Sequence, residues 1–179
     1  FAFKVRNELN DMSMPYLDFK VEVRILPEDD WHNNGIDAIS FMVKSSNDQF
    51  DDVKNILSGG ELSRLLLAIY NVISSSQKTI LFDEIDVGIS GAIASNIGHK
   101  LYKLANNSQI IVITHQPQVA VYSDNHIKIF KEGETTKGTI LSQKEINKEI
   151  GVMLSGREVT DSALIAAINM IELAKKDKQ

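Results

Sequence analysis

Two short apolar runs, Thr79-Ile80-Leu81-Phe82 and Ile110-Ile111-Val112-Ile113, constrain the fold of this chain more than any other feature. Each is too short for a buried helix, and between them Ile93, Ile97, Leu101 and Leu104 recur at helical spacing. Another helical series, Leu62, Leu65, Leu66, Ile69 and Ile73, precedes the first run. Helix, strand, helix, strand predicts parallel neighbours, because parallel strands need a crossover connection and bury both faces under helices. The expected fold class is α/β, a mostly parallel sheet flanked by helices.

The flanks follow other rules. Phe1 to Met14 reads as a helix with a weak apolar face, stopped by Pro15. From Tyr16 to Leu26 the period becomes two: Leu17, Phe19, Val21, Val23 and Ile25 alternate with Asp18, Lys20, Glu22 and Arg24, as in a half-buried strand. Pro27 to Gly35 is a polar loop and Ile36 to Val43 a second strand, so an N-terminal antiparallel hairpin is expected, leaving through polar Ser45 to Asp52. Near the other end, Ile127–Phe130 and Thr139–Leu141 flank Lys131-Glu132-Gly133-Glu134 as a closing hairpin. Helices are expected at Lys144–Leu154 and Thr160–Lys176. With no repeat and no long linker, one compact unit is the default.

Composition narrows the function classes. Of 179 residues, 43% are hydrophobic and 24% charged, enough apolar material for a core. Nineteen Lys and Arg against 24 Asp and Glu leave a net charge of -5, so no general electrostatic grip on nucleic acid is available; any DNA contact must be local or supplied elsewhere. The absence of cysteine excludes disulfides, thiolate metal sites and thiol nucleophiles, and fits a reducing, cytoplasmic setting. No apolar run approaches the roughly 20 residues of a membrane span, and no basic-then-apolar leader opens the chain, so no membrane partner is expected. The first residue is Phe, as expected of a piece of a longer protein.

Chemistry concentrates at three places. Leu57-Ser58-Gly59-Gly60-Glu61 stands just before the first long amphipathic helix. Two glycines there leave amides open to an anion such as phosphate, although Ser58-x-x-Glu61 is equally a capping box. Asp83-Glu84 ends the first apolar run, at the carboxyl edge where α/β sheets bind ligands; neighbours on a strand point to opposite sides, so one carboxylate can hold Mg²⁺ while the other faces a water. Asp86 adds a third carboxylate to the same turn. His115, after Thr114 at the end of the second run, would bring an imidazole to the same edge, whereas His32, His99 and His126 have no comparable setting. The bland alternatives are a helix cap, a strand turning polar as it surfaces, and a hydrogen-bonded bystander histidine.

The order and spacing of the three resemble those of ATP-binding cassette (ABC-type) ATPases of the P-loop NTPase class. In that resemblance Ser58-Gly59-Gly60-Glu61 corresponds to the signature motif, Thr79 to Glu84 to Walker B with its catalytic glutamate, Asp86 falls in the D-loop and His115 in the switch loop. The strings Ser58-Gly59-Gly60-Glu61-Leu62-Ser63-Arg64, Phe82-Asp83-Glu84-Ile85-Asp86-Val87-Gly88-Ile89-Ser90-Gly91 and Thr114-His115-Gln116-Pro117-Gln118-Val119-Ala120 are similar to the SMC-like branch that serves bacterial DNA repair. Gln116 departs from it, Leu being more usual. Transporter cassettes usually carry Gln where Glu61 stands, and chromosome-maintenance heads usually continue with Lys-Ser after that Glu. The loop Gly-x-x-x-x-Gly-Lys-[Ser/Thr] is nowhere in the chain.

The resemblance implies the C-terminal lobe of a split head: residues 1–14 the end of a coiled-coil helix, residues 15–179 the lobe itself. It further implies that Ser58, Gly59, Gly60 and Glu61 meet ATP held by the Walker A loop of a second copy, and that Asp83 orients Mg²⁺. Glu84 would polarise water, His115 would contact the γ-phosphate, and Asp86 would tie the two sites across the dimer. The implied partners are that second copy, the N-terminal Walker A lobe of the same protein, and DNA. The rivals are a head of another SMC-like or transporter ATPase and a non-enzymatic binding module.

Overall fold

The first helix, α1 (Ala2–Asp11), carries Val5 and Leu9 one turn apart, and both are fully buried together with Met12 and Met14 just beyond its end. This narrow stripe is the apolar face that a count spread over Phe3, Arg6 and Asn10 fails to find. The helix stops at Asp11, short of Pro15, where Ser13 takes a left-handed φ of 59°. These details come from a computed structural model that describes residues 1–45, 49–73, 79–156 and 158–178. Residues 46–48 of the expected polar stretch lie outside them.

The chain divides into two compact units, Phe1–Ser75 and Ser76–Gln179, where the sequence by itself leads one to expect a single unit. In the first, β1 (Asp18–Ile25) pairs antiparallel with β2 (Asp37–Lys44) from Asp18 opposite Lys44 to Ile25 opposite Asp37, which is the expected hairpin. A two-residue β3 (Asp51–Asp52) adds to the far edge of β2. A short α2 (Val53–Ile56) and then α3 (Gly59–Ile73) follow, and α1 packs on both α3 and β1. Phe1, Phe19 and Phe41 cluster with ring centroids 5.7–6.4 Å apart at the covered end of the hairpin. A ten-residue helix is about 15 Å long and an eight-residue strand about 26 Å, so α1 covers only part of the hairpin. Val23 and Ile25, expected on the buried face, are exposed, and so is Ile39 on β2.

In the second unit, β4 (Thr79–Phe82) and β5 (Gln109–Val112) pair in parallel, Thr79 opposite Gln109 and Phe82 opposite Val112, with α4 (Gly91–Ala105) as the crossover. Ile113 N–H extends the ladder to the Phe82 carbonyl at 3.0 Å. A short α5 (Pro117–Ala120) packs against α4. The strands β6 (Ile127–Glu132) and β7 (Thr135–Ile140) form the closing hairpin around Gly133, whose φ of 63° suits a two-residue turn. The chain ends with α6 (Gln143–Ser155) packed on α7 (Asp161–Asp177) over a core of Ile150, Ala167, Ile171 and Ala174.

Two expectations are corrected. Among the described residues the β4–β5 pair is the parallel part and the other pairings are antiparallel, because the remaining neighbours are joined by connections too short for a crossover. Nor are both faces of the parallel pair covered. Ile80 and Phe82 are buried, but Leu81 is 60% exposed, Ile111 46% and Ile113 55%.

Candidate nucleotide site at the strand ends

In the first unit Ser58 and Glu61 form the capping box that opens α3. The Glu61 carboxylate accepts from the Ser58 amide at 3.0 Å and from its hydroxyl at 2.7 Å, while the Glu61 amide points back to Ser58 Oγ at 3.4 Å. The other carboxylate oxygen of Glu61 accepts the Tyr16 hydroxyl at 2.5 Å. Burial pushes the Glu61 carboxyl up, but the bonds from Tyr16 and Ser58 and the charge of Arg64 outweigh it and leave the group below its usual value. Burial and the same carboxylate drive the Tyr16 phenol up to about 12.

Capping alone does not account for two glycines. Ser142 and Glu145 make the same box at the start of α6, with Gln143 and Lys144 in the positions of Gly59 and Gly60. Both boxes close the same orphan amides, so the cap by itself does not require glycine at those two positions. Ser58 and Gly59 are exposed, and Gly60 is buried.

In the second unit, Asp83 and Glu84 stand exposed directly beyond β4, and His115 stands just beyond β5, its side chain 73% exposed. Parallel pairing in register brings all three to one sheet edge. Asp83 Oδ1 accepts the Glu84 amide at 2.9 Å, and Glu84 has a φ of 59°, a left-handed conformation uncommon for a residue with a side chain. The turn continues through Val87 N–H to the Glu84 carbonyl at 3.1 Å.

Asp86, expected to tie two sites together across a dimer, makes its contacts here within one chain. It is 2% exposed, and its carboxylate is engaged within its own chain. Oδ2 accepts the Thr114 hydroxyl at 2.5 Å, the His115 amide at 3.0 Å and the Gln116 amide at 3.3 Å, and lies 3.4 Å from His115 Nδ1. Gln116, the departure noted in the sequence, gives its side-chain amide to the Ile89 carbonyl at 3.1 Å. The contributions of Tyr16 and Thr114 escaped sequence reasoning, since no spacing rule links Tyr16 to Glu61 or Thr114 to Asp86.

The other histidines lie apart from this edge. His32 is exposed on a loop, His99 lies tilted against Tyr122 with centroids 5.9 Å apart, and burial, with Lys178 nearby, holds the His126 imidazole below its usual value. Among the described residues no group of three or more His, Cys, Asp and Glu is arranged as a metal site. The donors at the strand end still fit Mg²⁺, which takes one or two protein carboxylates and completes its shell with water and substrate phosphate. No helix of the described residues is long and apolar enough to cross a membrane.

The class of the fold follows from comparison with solved structures. The chain superposes on the Smc head domain with a coiled coil and joint from Pyrococcus yayanosii with a TM-score of 0.57 and 19% identity, over 97% of this chain and 29% of that one. It also superposes on the Pyrococcus furiosus Smc head domain bound to the C-terminal domain of ScpA with a TM-score of 0.55 and 20% identity, over 80% and 35%. The fold is that of part of an SMC-type head. No protein-family model matches the chain. By sequence the chain is similar to a particular protein of that kind: it is 40% identical to DNA repair protein RecN of Bacillus subtilis over 151 residues, and 38% identical to that of Rickettsia prowazekii over 174 residues. Against Haemophilus influenzae RecN it is 37% identical over 180 residues. These matches cover 80%, 93% and 96% of this chain but 26%, 31% and 32% of the relatives, so the chain spans about a third of their length or less. The chain is RecN-like, consistent with a C-terminal portion of the RecN head.

Proposed function

We propose that this chain is the C-terminal lobe of a RecN-type ATPase head, which binds and hydrolyses ATP between two heads to control DNA tethering in double-strand-break repair. The observation that carries the reading is the meeting of Asp83, Glu84 and His115 at one edge of the parallel β4–β5 pair. Support also comes from the glycines of the Ser58–Glu61 cap and from the RecN sequence relatives. Bound Mg²⁺ would neutralise phosphate charge. Asp83 would hold it, Glu84 would orient and polarise the attacking water, and His115 would hydrogen-bond the transferred phosphoryl group. Ser58 and the amides of Gly59 and Gly60 would close on the nucleotide of the partner head, making ATP both reactant and bridge.

The chain has no Walker A loop, so a further lobe of the same protein would supply it. The exposed apolar face of Leu81, Ile111 and Ile113 supports that requirement, since a continuous apolar strip of this kind is stable when covered. By itself this chain would turn over no ATP. DNA-binding surface, nucleoid association and the coiled coil that α1 would continue belong to the same proposal.

Glu84→Gln in the full-length protein tests the reading. The expected result is loss of steady-state hydrolysis, with the ATP-bound dimer accumulating by size-exclusion chromatography. Undiminished turnover would remove Glu84 from the mechanism.

A further inference from the structure

His115 needs a fixed aim to act on a phosphoryl group, yet its ring is largely exposed. We propose that Asp86 is the positioning residue for His115, its buried carboxylate fastening the Thr114–Gln116 turn and presenting the imidazole with Nε2 outward. The inference rests on the function proposed above and adds a residue whose expected role lay elsewhere.

The geometry concentrates four contacts on one atom. Asp86 Oδ2 takes a hydroxyl, two consecutive backbone amides and the approach of an imidazole nitrogen, all from residues 114–116. Thr114 Oγ1 in turn accepts the Gln116 amide at 3.0 Å, so the hydroxyl is held at both ends. The bond from the Gln116 side chain to Ile89 joins the same two loops a second time, on the other side of Asp86 in sequence. Two fastenings separated along the chain stop rotation of one loop about the other, which a single bond does not.

A simpler cap would close a turn at lower cost. Burying a carboxylate carries a large desolvation penalty, offset only when fixed donors surround it. Here the donors include the residue that the strand end presents to solvent. With Oδ2 3.4 Å from Nδ1, the negative charge favours the proton on that nitrogen and leaves Nε2 as the outward atom. The Walker B turn, which also carries Glu84, thereby sets the direction of His115, and a displacement of either loop is felt by the other.

The experiment uses the full-length protein with Asp86→Asn, Thr114→Val, Thr114→Ser and, in parallel, Glu84→Gln. Asp86→Asn is expected to lower kcat for ATP about tenfold or more with KM changed less than about threefold, the pattern of lost transition-state positioning. Thr114→Val should lower kcat in the same way, and Thr114→Ser, which restores the hydroxyl, should recover most of it. Nitrogen NMR of His115 should show the Nδ1–H tautomer in the native protein and a mixture in Asp86→Asn. Unchanged kcat and an unchanged tautomer in Asp86→Asn would overturn the proposal. Should Asp86→Asn fail to fold, Thr114→Val with native kcat would overturn it equally. Turnover persisting in Glu84→Gln would instead sink the parent reading, and the tautomer measurement would still decide the role of Asp86.

Discussion

Tyr16 donates its hydroxyl to Glu61 at 2.5 Å, joining a residue two positions before β1 to the first turn of α3 across 45 positions of sequence. The bond orients the carboxylate that caps Ser58, so the approach to the glycine turn is braced from outside the motif. Tyr16→Phe should lower stability by about 1 kcal/mol or less, because the pair is solvent-accessible. The sign with pH is fixed by the two shifts. The phenol, raised from 10.0 to about 12, adds stability that is complete below about pH 10 and lost as pH rises towards 12. The lowered Glu61 carboxyl adds stability present above the ordinary carboxylate range and lost as pH falls through its folded value. Denaturant midpoints across pH for native and Tyr16→Phe proteins should converge at both extremes.

Glu84 holds a left-handed φ of 59° at the strand end. Glu84→Gly relieves that strain and is expected to raise stability by up to about 1 kcal/mol while removing ATP hydrolysis in the full-length protein. Denaturant unfolding alongside an ATPase assay checks the pair of outcomes; a destabilised variant would contradict a strained native turn.

Gly98 lies on the face of α4 turned to α5. A Cβ there would sit 2.5 Å from Tyr122 Cδ2 and 3.0 Å from the Gln118 carbonyl oxygen. Tyr122 cannot swing aside cheaply, since its hydroxyl is bonded to Asp177 at 2.7 Å. Gly98→Ala should therefore cost about 1–3 kcal/mol by overpacking, read as a fall in Tm.

The two capping boxes provide a matched control. Ser58→Ala and Ser142→Ala each remove a hydroxyl from the same type of helix start, and both should reduce stability, the first by about 1 kcal/mol. ATP-dependent dimerisation of the full-length protein should fail in Ser58→Ala and persist in Ser142→Ala. Equal behaviour of the two would reduce Ser58-Gly59-Gly60-Glu61 to a cap.

Much of the second unit was legible because its signals are short-range. Ile80 and Phe82 alternate with Leu81 on β4, and Ile97, Leu101 and Leu104 share one face of α4, so strand and helix declare themselves within a few residues. The first helix was harder to read, since two buried residues, Val5 and Leu9, carry its packing among charged neighbours. Which faces stay open was not legible at all. Val23 and Leu81 have the pattern of core residues, and their exposure follows from the reach of α1 and from what covers the β4–β5 pair.

The sequence by itself determined the kind and order of the elements and the places where polar chemistry interrupts them: the Ser58–Glu61 turn, Asp83-Glu84 and His115. Side-chain periodicity is a property of one element, so one element's residues suffice to reveal it. Only the tertiary structure decided that Asp86 turns inward to Thr114, 28 positions away, and that Tyr16 finds Glu61. Those partners are chosen by the path of the backbone between them, and a hydrogen bond that requires donor and acceptor within about 3 Å registers that path more finely than any local pattern can.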